Sequence, residues 1–314
     1  MFAGLDGAKI HDVGDSTAAR IQSLVERVEG QNDDRPAVIS RLASALSDPD
    51  EGVRESAIRA LGNLGSGQAV PALLKVLRDQ SDFLGSSAAY ALGRLAAWPQ
   101  LCVPALVTAA RTAGDRTRGS AIHALRKMGA DGAAPLVAML RDRDPTIRIA
   151  AAYALGDHGQ QPPEVIDPLI DALGDTEREV RSAAARALRA IGPAASRSIP
   201  ALIDALAVQT DFAQWALLAM GELAIPRLVS ALASPYAAIR VGAADTLNFM
   251  LRLGGEPDWS EAVSTLVEAL DDLDPEISFR AAVALRKVRT ESKKAIPPRW
   301  QAFVERAFIE TGGC

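Results

Sequence analysis

Aromatic side chains make up only 4% of the 314 residues. That scarcity weighs against a β-sandwich, whose core draws on aromatic and β-branched residues. Cysteine is nearly absent, and Cys102 and Cys314 are too few for a disulfide framework. Cys102 lies in an apolar helical stretch and reads as a small core residue. Cys314 follows a Gly-Gly and reads as an exposed thiol able to bridge two copies, so self-association is possible; Thr-Gly-Gly-Cys does not fit the C-a-a-X lipidation pattern. No run of about 18 apolar residues occurs, so no membrane span is expected. The first fifteen residues lack a charged start followed by a long apolar run, so no signal peptide is read and a cytoplasmic location is expected. Basic excess is missing too. The net charge is −5 and the pI about 5.4, whereas a non-specific nucleic-acid binder usually has a domain pI above about 9. Glycine-rich phosphate loops, CxxC pairs and nucleophile elbows are absent, and the histidines number three, at 11, 123 and 158. No metal and no cofactor is expected, no catalytic residue can be singled out, and the balance lies against an enzyme.

What the chain has in abundance is small apolar residues in a repeating order. Hydrophobic residues reach 48%, dominated by Ala, Leu and Val, which suits closely packed helices. Segments such as VRESAIRALGNLG from Val53, TRGSAIHALRKMG from Thr117 and VRSAAARALRAIG from Val180 align on one leucine-like position. That position is Leu61, Leu92, Leu125, Leu155, Leu188, Met220, Leu247 and Leu285, with spacings of 31, 33, 30, 33, 32, 27 and 38. A steady period in this range signifies stacked units. Within one segment, Val53, Ala57, Leu61 and Leu64 share a helical face. Asp48 and Asp50 precede this helix, and Asp144, Asp175, Asp211 and Asp274 recur near later starts, as N-caps would.

A second ladder runs through a preceding helix in each unit. Pro71, Pro104, Pro135, Pro168, Pro200 and Pro226 are spaced 33, 31, 33, 32 and 26, each expected in a first helical turn, where no N–H is missed. The pattern VRESAIRALGNLGSGQAVPALLKVLRD resembles the short HEAT-like repeat named after phycobilisome lyases, and the resemblance covers roughly residues 36–290. It implies an all-α fold, a right-handed α-solenoid of about eight helix pairs. The expected layout is a loose segment at 1–16 and one solenoid over 17–311. Its repeats fall near 36–64, 68–96, 99–128, 130–158, 162–191, 194–223, 224–252 and 259–288, with capping helices at 17–29 and 298–311. Members of the family include scaffolds, lyases, chaperones and some enzymes, so the fold alone assigns no activity.

In such a stack the second helices line the concave, ligand-binding surface. Two columns lie on the side of these helices away from the core stripe. One reads Arg59, Tyr90, His123, Tyr153, Arg186, Leu218, Asp245 and Val283. The other reads Asn63, Arg94, Lys127, Asp157, Ala190, Glu222, Phe249 and Lys287. Two of the three tyrosines fall in the first column, and Tyr and Arg are favoured interface anchors. Arg59, Tyr90, Arg94, His123, Lys127, Tyr153, Asp157 and Arg186 are therefore the candidate groove for a protein or peptide partner. An ordinary half-buried surface without a ligand accounts for the same columns. The arginine of Arg54, Arg118, Arg148, Arg181 and Arg240 reads as structural, bonding a capping carboxylate or the loop of a neighbouring repeat. The sixth unit is irregular. Trp215 and Leu218 stand there as an apolar contact or, if the stack bends tightly, as buried residues. From Arg94 to Arg148 nine Arg or Lys face four Asp, which admits an acidic peptide or a phosphate backbone, with a solvated face the plainer reading. A binding scaffold is the first reading; an accessory to a lyase-like reaction on a chromophore or modified peptide, and nucleic-acid binding through the middle repeats, are the alternatives.

Overall fold

Sixteen α-helices, among the described residues of a computed structural model, follow one another without an intervening strand. The structure describes residues 35–79, 81–156, 163–208, 210–253, 260–272 and 274–287, together with Pro298, Arg299, Gln301 and Val304. The segment expected to be loose at 1–16, the capping helix expected at 17–29 and most of that at 298–311 lie outside the described residues.

The helices pair in chain order into eight hairpins: α1 (Arg35–Ala45) with α2 (Glu51–Asn63), α3 (Val70–Asp79) with α4 (Asp82–Arg94), α5 (Pro99–Thr112) with α6 (Asp115–Lys127), and α7 (Ala130–Met139) with α8 (Pro145–Gly156). Then come α9 (Ile166–Ala172) with α10 (Arg178–Ile191), α11 (Ile199–Ala205) with α12 (Thr210–Met220), α13 (Ile225–Ala231) with α14 (Ala237–Leu253), and α15 (Ser260–Glu268) with α16 (Pro275–Lys287). The fold is an α-solenoid, and the chain divides into two compact units, residues 1–154 and 155–314. In the first unit α2 packs on α4 and α4 on α6, while α3 packs on α5 and α5 on α7. In the second, α10, α12, α14 and α16 form the row of second helices, and α11, α13 and α15 lie side by side in the row of first helices.

The cause of this layering is visible at one register position. Four residues before each leucine-like position stands an alanine: Ala57, Ala88, Ala121, Ala151, Ala184, Ala216, Ala243 and Ala281, every one of them 0% exposed. The leucine-like residue itself is 1% exposed at Met220 and 0% elsewhere. Three of the second helices add a glycine just past the leucine, which faces an alanine of the next layer. A Cβ placed on Gly62 would lie 2.8 Å from that of Ala91, and one on Gly93 would lie 2.9 Å from that of Ala124. Gly156 meets Ala187 in the same way. Small residues thus let adjacent helices approach at the close end of the usual ~8–10 Å range, while Leu, Ile and Val fill the space toward the first helices.

The hairpins are closed by arginines, and in most repeats the partner is the hairpin's own loop rather than the neighbouring repeat. Arg54 Nη1 donates to the carbonyls of Asp48 and Pro49 at 2.7 and 2.9 Å. Arg148, Arg181 and Arg240 repeat that bidentate grip on the carbonyls six and five residues back. Ser278 retains half of it, donating to the Asp272 carbonyl at 3.1 Å. The geometry corrects the expectation of a neighbour-directed arginine, because the first turn of the helix folds back over its own tight loop. Arg240 also reaches the next repeat, with Nε donating to Asp272 at 2.9 Å.

Asp50 and Asp144 act as N-caps, accepting from Gly52 and Thr146. Asp175 instead closes an Asx turn on the Glu177 amide; Asp274 directly precedes α16, its carbonyl accepting from the Ile277 and Ser278 amides, and the Asp211 side chain lies outside the described residues. The proline ladder also splits. Pro71, Pro168, Pro200 and Pro226 stand in the first turn of α3, α9, α11 and α13, each entered through a 3₁₀ turn. Pro104 and Pro135 lie inside α5 and α7, because those helices start several residues earlier.

One repeat breaks the arginine rule in a coordinated way. Gly85 replaces the arginine in α4, and a Cβ there would lie 2.8 Å from Thr117 Oγ1 of the next repeat. The N-cap of α6 is Gly114, which has no side chain to cap with. Asp82 supplies the cap from the preceding repeat. Its carboxylate accepts the amides of Thr117 and Arg116 at 2.9 and 3.2 Å, and its carbonyl accepts the Thr117 hydroxyl at 2.8 Å. The hydrogen bonds from Thr117, chiefly, hold the Asp82 carboxyl below the usual carboxylate range. The sixth unit is shortened by a different device. Gly65, Gly129 and Gly192 take left-handed φ of 66, 58 and 69° four residues past the leucine position. Gly221 does so at 60° only one residue past it, so α12 ends early and α13 begins after a four-residue 3₁₀ turn.

Replacing Ala88 by Leu will lower stability by about 1–3 kcal/mol through overpacking, read as a reduced urea midpoint, whereas Arg59→Ala on the exposed face will change it by less than about 0.5 kcal/mol. For Asp82, a lowered folded pKa means the contribution is complete above the ordinary carboxylate pKa and is lost as pH falls through the lowered one. Asp82→Ala will therefore melt below wild type at pH 7, and the difference between the two melting temperatures will shrink as pH falls below the ordinary carboxylate range.

Candidate functional site

Every second helix presents to solvent the strip opposite its alanine and leucine contacts. In the first unit that strip carries Arg59 and Asn63 on α2, Tyr90 and Arg94 on α4, His123 and Lys127 on α6, and Tyr153 on α8. Arg59, Asn63, Arg94 and Lys127 are exposed and His123 is half-buried. Tyr90 and Tyr153 are 54% and 43% exposed, more than a satisfied core tyrosine would be.

The structure brings two of these residues into contact across a layer boundary. The Tyr90 and His123 rings stack with centroids 5.9 Å apart and planes 16° apart, bridging α4 and α6. Arg126 Nη2 stands 3.0 Å from His123 Nδ1. A guanidinium only donates, so Nδ1 is the acceptor and the imidazole proton of the neutral ring sits on Nε2. Arg94 and Lys127 occupy the same register on adjacent helices, one turn beyond Tyr90 and His123. Arg59 stands one layer earlier, in the column of the rings.

The basic stretch from Arg94 to Arg148 is mostly structural. Arg118 binds Asp115 and the Ala113 carbonyl, Arg111 pairs with Asp142 at 3.0 Å, and Arg148 holds its own loop. Arg116 lies over the Phe83 ring at 5.4 Å. Among the described residues, Arg94 and Lys127 carry no ion pair, and they are the cations of this stretch that the strip presents.

In the second unit the strip is built differently. Arg186 stacks over Phe212 at 5.1 Å, and Arg189 over Trp215 at 5.4 Å. Phe249 meets Trp215 edge-on at 5.2 Å and 75°. Trp215 remains 41% exposed and Leu218 is half-buried, so the sixth unit is neither an open apolar patch nor fully enclosed. Asp245 is paired with Arg280, whose own pKa burial lowers. Val283, placed by sequence in the outward column, is 6% exposed and belongs to the core, as an apolar side chain at the edge of the packed face does. Asp157 and the Lys287 side chain lie outside the described residues.

Arg126 and Arg189 escaped the sequence reading, although a signal existed. Both occupy the position that is glycine at 62, 93, 156 and 221. At these two positions a long side chain replaces the glycine and meets a ring on the strip.

Among the described residues no group of three or more His, Cys, Asp or Glu is placed to hold a metal, and no helix is long and apolar enough to cross a membrane. Cys102 is buried, and that burial pushes its thiol up to about 11, which leaves it a small apolar side chain at neutral pH.

A family model and one solved structure support the α-solenoid architecture. A family model described as HEAT repeats matches residues 18–93 and 133–221. Importin beta, solved in an ammonium sulfate condition, superposes with a TM-score of 0.55 at 12% identity, covering 96% of this chain and 50% of that one. The chain thus spans about half the length of importin beta. An engineered protein solved by a structural genomics consortium aligns over 96% of this chain and 92% of its own, at 24% identity and a TM-score of 0.42. No curated protein matches the sequence.

The His123 tautomer is directly measurable. At neutral pH the imidazole ¹⁵N spectrum, assigned with His123→Gln, will show protonation at Nε2 and a bare Nδ1, and Arg126→Met will mix the two tautomers.

Proposed function

We propose that this chain, which belongs to the HEAT repeat family, is a non-catalytic scaffold that binds a protein or peptide on the exposed strip of its second helices. Its repeats are read as the short HEAT-like type of the phycobilisome-lyase group, and its place of action as the cytoplasm. The observation that carries the reading is the strip of the first unit. Two exposed tyrosines, a ring pair bridging two layers and three cations occur together in a chain with 4% aromatics. Exposed tyrosine exposes ring area to water without return unless something covers it. Tyr and Arg are the residue types on which interface energy concentrates. The layered core beneath holds them rigid, so little ordering entropy remains to be lost on binding.

The strip supports binding rather than turnover. Tyr90, His123 and Tyr153 stand on open helix faces, and general acid–base work calls for groups converging on one reacting atom.

Tyr90→Ala/Tyr153→Ala removes two anchors at exposed positions, so the double variant will keep the wild-type circular dichroism and melting temperature. In affinity capture from the native cell it will lose the partners that the wild type retains. Unchanged capture by the folded double variant would refute the assignment to this strip.

A further inference from the structure

Resting on the binding reading above, we infer that the ligand of the first unit is an extended acidic peptide carrying carboxylates three residues apart. The strip has a sign. Arg59, Arg94 and Lys127 are exposed on three successive second helices, and among the described residues none of the three carries an ion pair. The arginines around them are engaged elsewhere: Arg54 and Arg118 hold their loops and Arg126 holds His123. Glu55, half-buried on α2, is the one carboxylate on this side of α2, α4 and α6 among the described residues. In a chain of net charge −5, a local row of cations is a specific complement to a local row of anions, while the overall negative charge repels long polyanions. That asymmetry favours a short acidic segment over a nucleic acid.

The spacing selects the ligand's conformation. Glycine and alanine at the α2–α4 and α4–α6 seams keep those helices at about 8–10 Å. An extended chain in the polyproline II conformation advances about 3.1 Å per residue with three residues per turn, so residues i and i+3 lie on one face and three residues cover one layer. A helix rises 1.5 Å per residue and would need about six. Carboxylates at i and i+3 thus meet Arg94 and Lys127, with a third, three residues away, reaching obliquely to Arg59. The uncharged groups on the strip fit the same conformation. An extended backbone brings unpaired N–H and C=O groups that require partners, and Asn63 and Tyr90 offer donors and acceptors beside the cations. A helical ligand, already bonded internally, would leave these groups without a use. The stacked Tyr90–His123 pair fills the furrow between α4 and α6 and gives the peptide a flat floor.

The test is fluorescence anisotropy on the full chain with four labelled probes at physiological ionic strength. They are a peptide with three glutamates each separated by Gly-Ser, an isomer with the glutamates contiguous, a lysine counterpart of the first, and a single-stranded DNA oligonucleotide. The spaced acidic peptide is expected to bind at least about fivefold more tightly than its contiguous isomer, with the lysine peptide unbound. Arg94→Gln/Lys127→Gln, at exposed positions and with unchanged melting temperature, is expected to weaken it by about tenfold, and Arg59→Gln by less. Equal binding of the two acidic isomers would overturn the spacing and with it the extended ligand. Tighter binding of the oligonucleotide than of either peptide would overturn the peptide assignment. Absence of acidic-peptide binding, in a protein whose captured partners still depend on Tyr90 and Tyr153, would overturn the acidic ligand and leave the scaffold reading standing. If capture is also independent of the tyrosines, both fall.

Discussion

One alanine per repeat governs this molecule. Its methyl group, four residues ahead of the leucine-like position, is fully buried in all eight second helices. A larger residue would push the helices apart and open voids along the whole seam; glycine would sacrifice helix propensity. The same constraint explains the composition. A core assembled from close-set helices is filled by many Ala and Leu and has little room for rings, so the few aromatics are pushed to the strip or to the ends of helices. Trp98, Tyr90, Tyr153, Trp215 and Tyr236 are all more than 40% exposed. Scarcity of aromatics in the core and their presence on the surface are thus one fact.

Close approach also separates two kinds of contact. Apolar contacts run between layers as well as within them, whereas most polar contacts of the arginine series stay inside a hairpin. The exception in α4 shows how the second kind is rewired. Losing the arginine at Gly85 makes room for Thr117, and Asp82 then caps a helix that Gly114 cannot cap. Three residues that look like unrelated departures from the repeat serve one junction.

Much of the fold was legible because it depends on residue identity at a fixed period. The leucine and proline ladders gave eight hairpins, and Asp50 and Asp144 cap as their position implied. The arginine's target was not legible, since periodicity says which turn a side chain leaves from and not how far it folds back. Pro104 and Pro135 were misplaced for a related reason: a proline ladder marks register, while the helix start depends on residues upstream that differ between repeats. The outward columns were recovered over most of their length, but Val283, an apolar side chain at the edge of the packed face, belongs to the core. The buttressing by Arg126 and Arg189 depends on contact between side chains from different positions, and only the break in the glycine column hinted at it.

The loop-gripping arginines carry a mechanical consequence. Because Arg54, Arg148 and Arg181 tie each hairpin to itself, a force applied across the layers of one unit meets stiff elements joined by compliant apolar seams. Extension will be taken up as small sliding at the alanine contacts, which resist separation but have no directional bonds to break. Where polar bonds do cross a seam, as at Asp82–Thr117, Arg111–Asp142, Arg240–Asp272 and Asp245–Arg280, the two layers are latched and deform as one body. Each unit is thus a spring with uneven links, stiff at these latches and yielding between them.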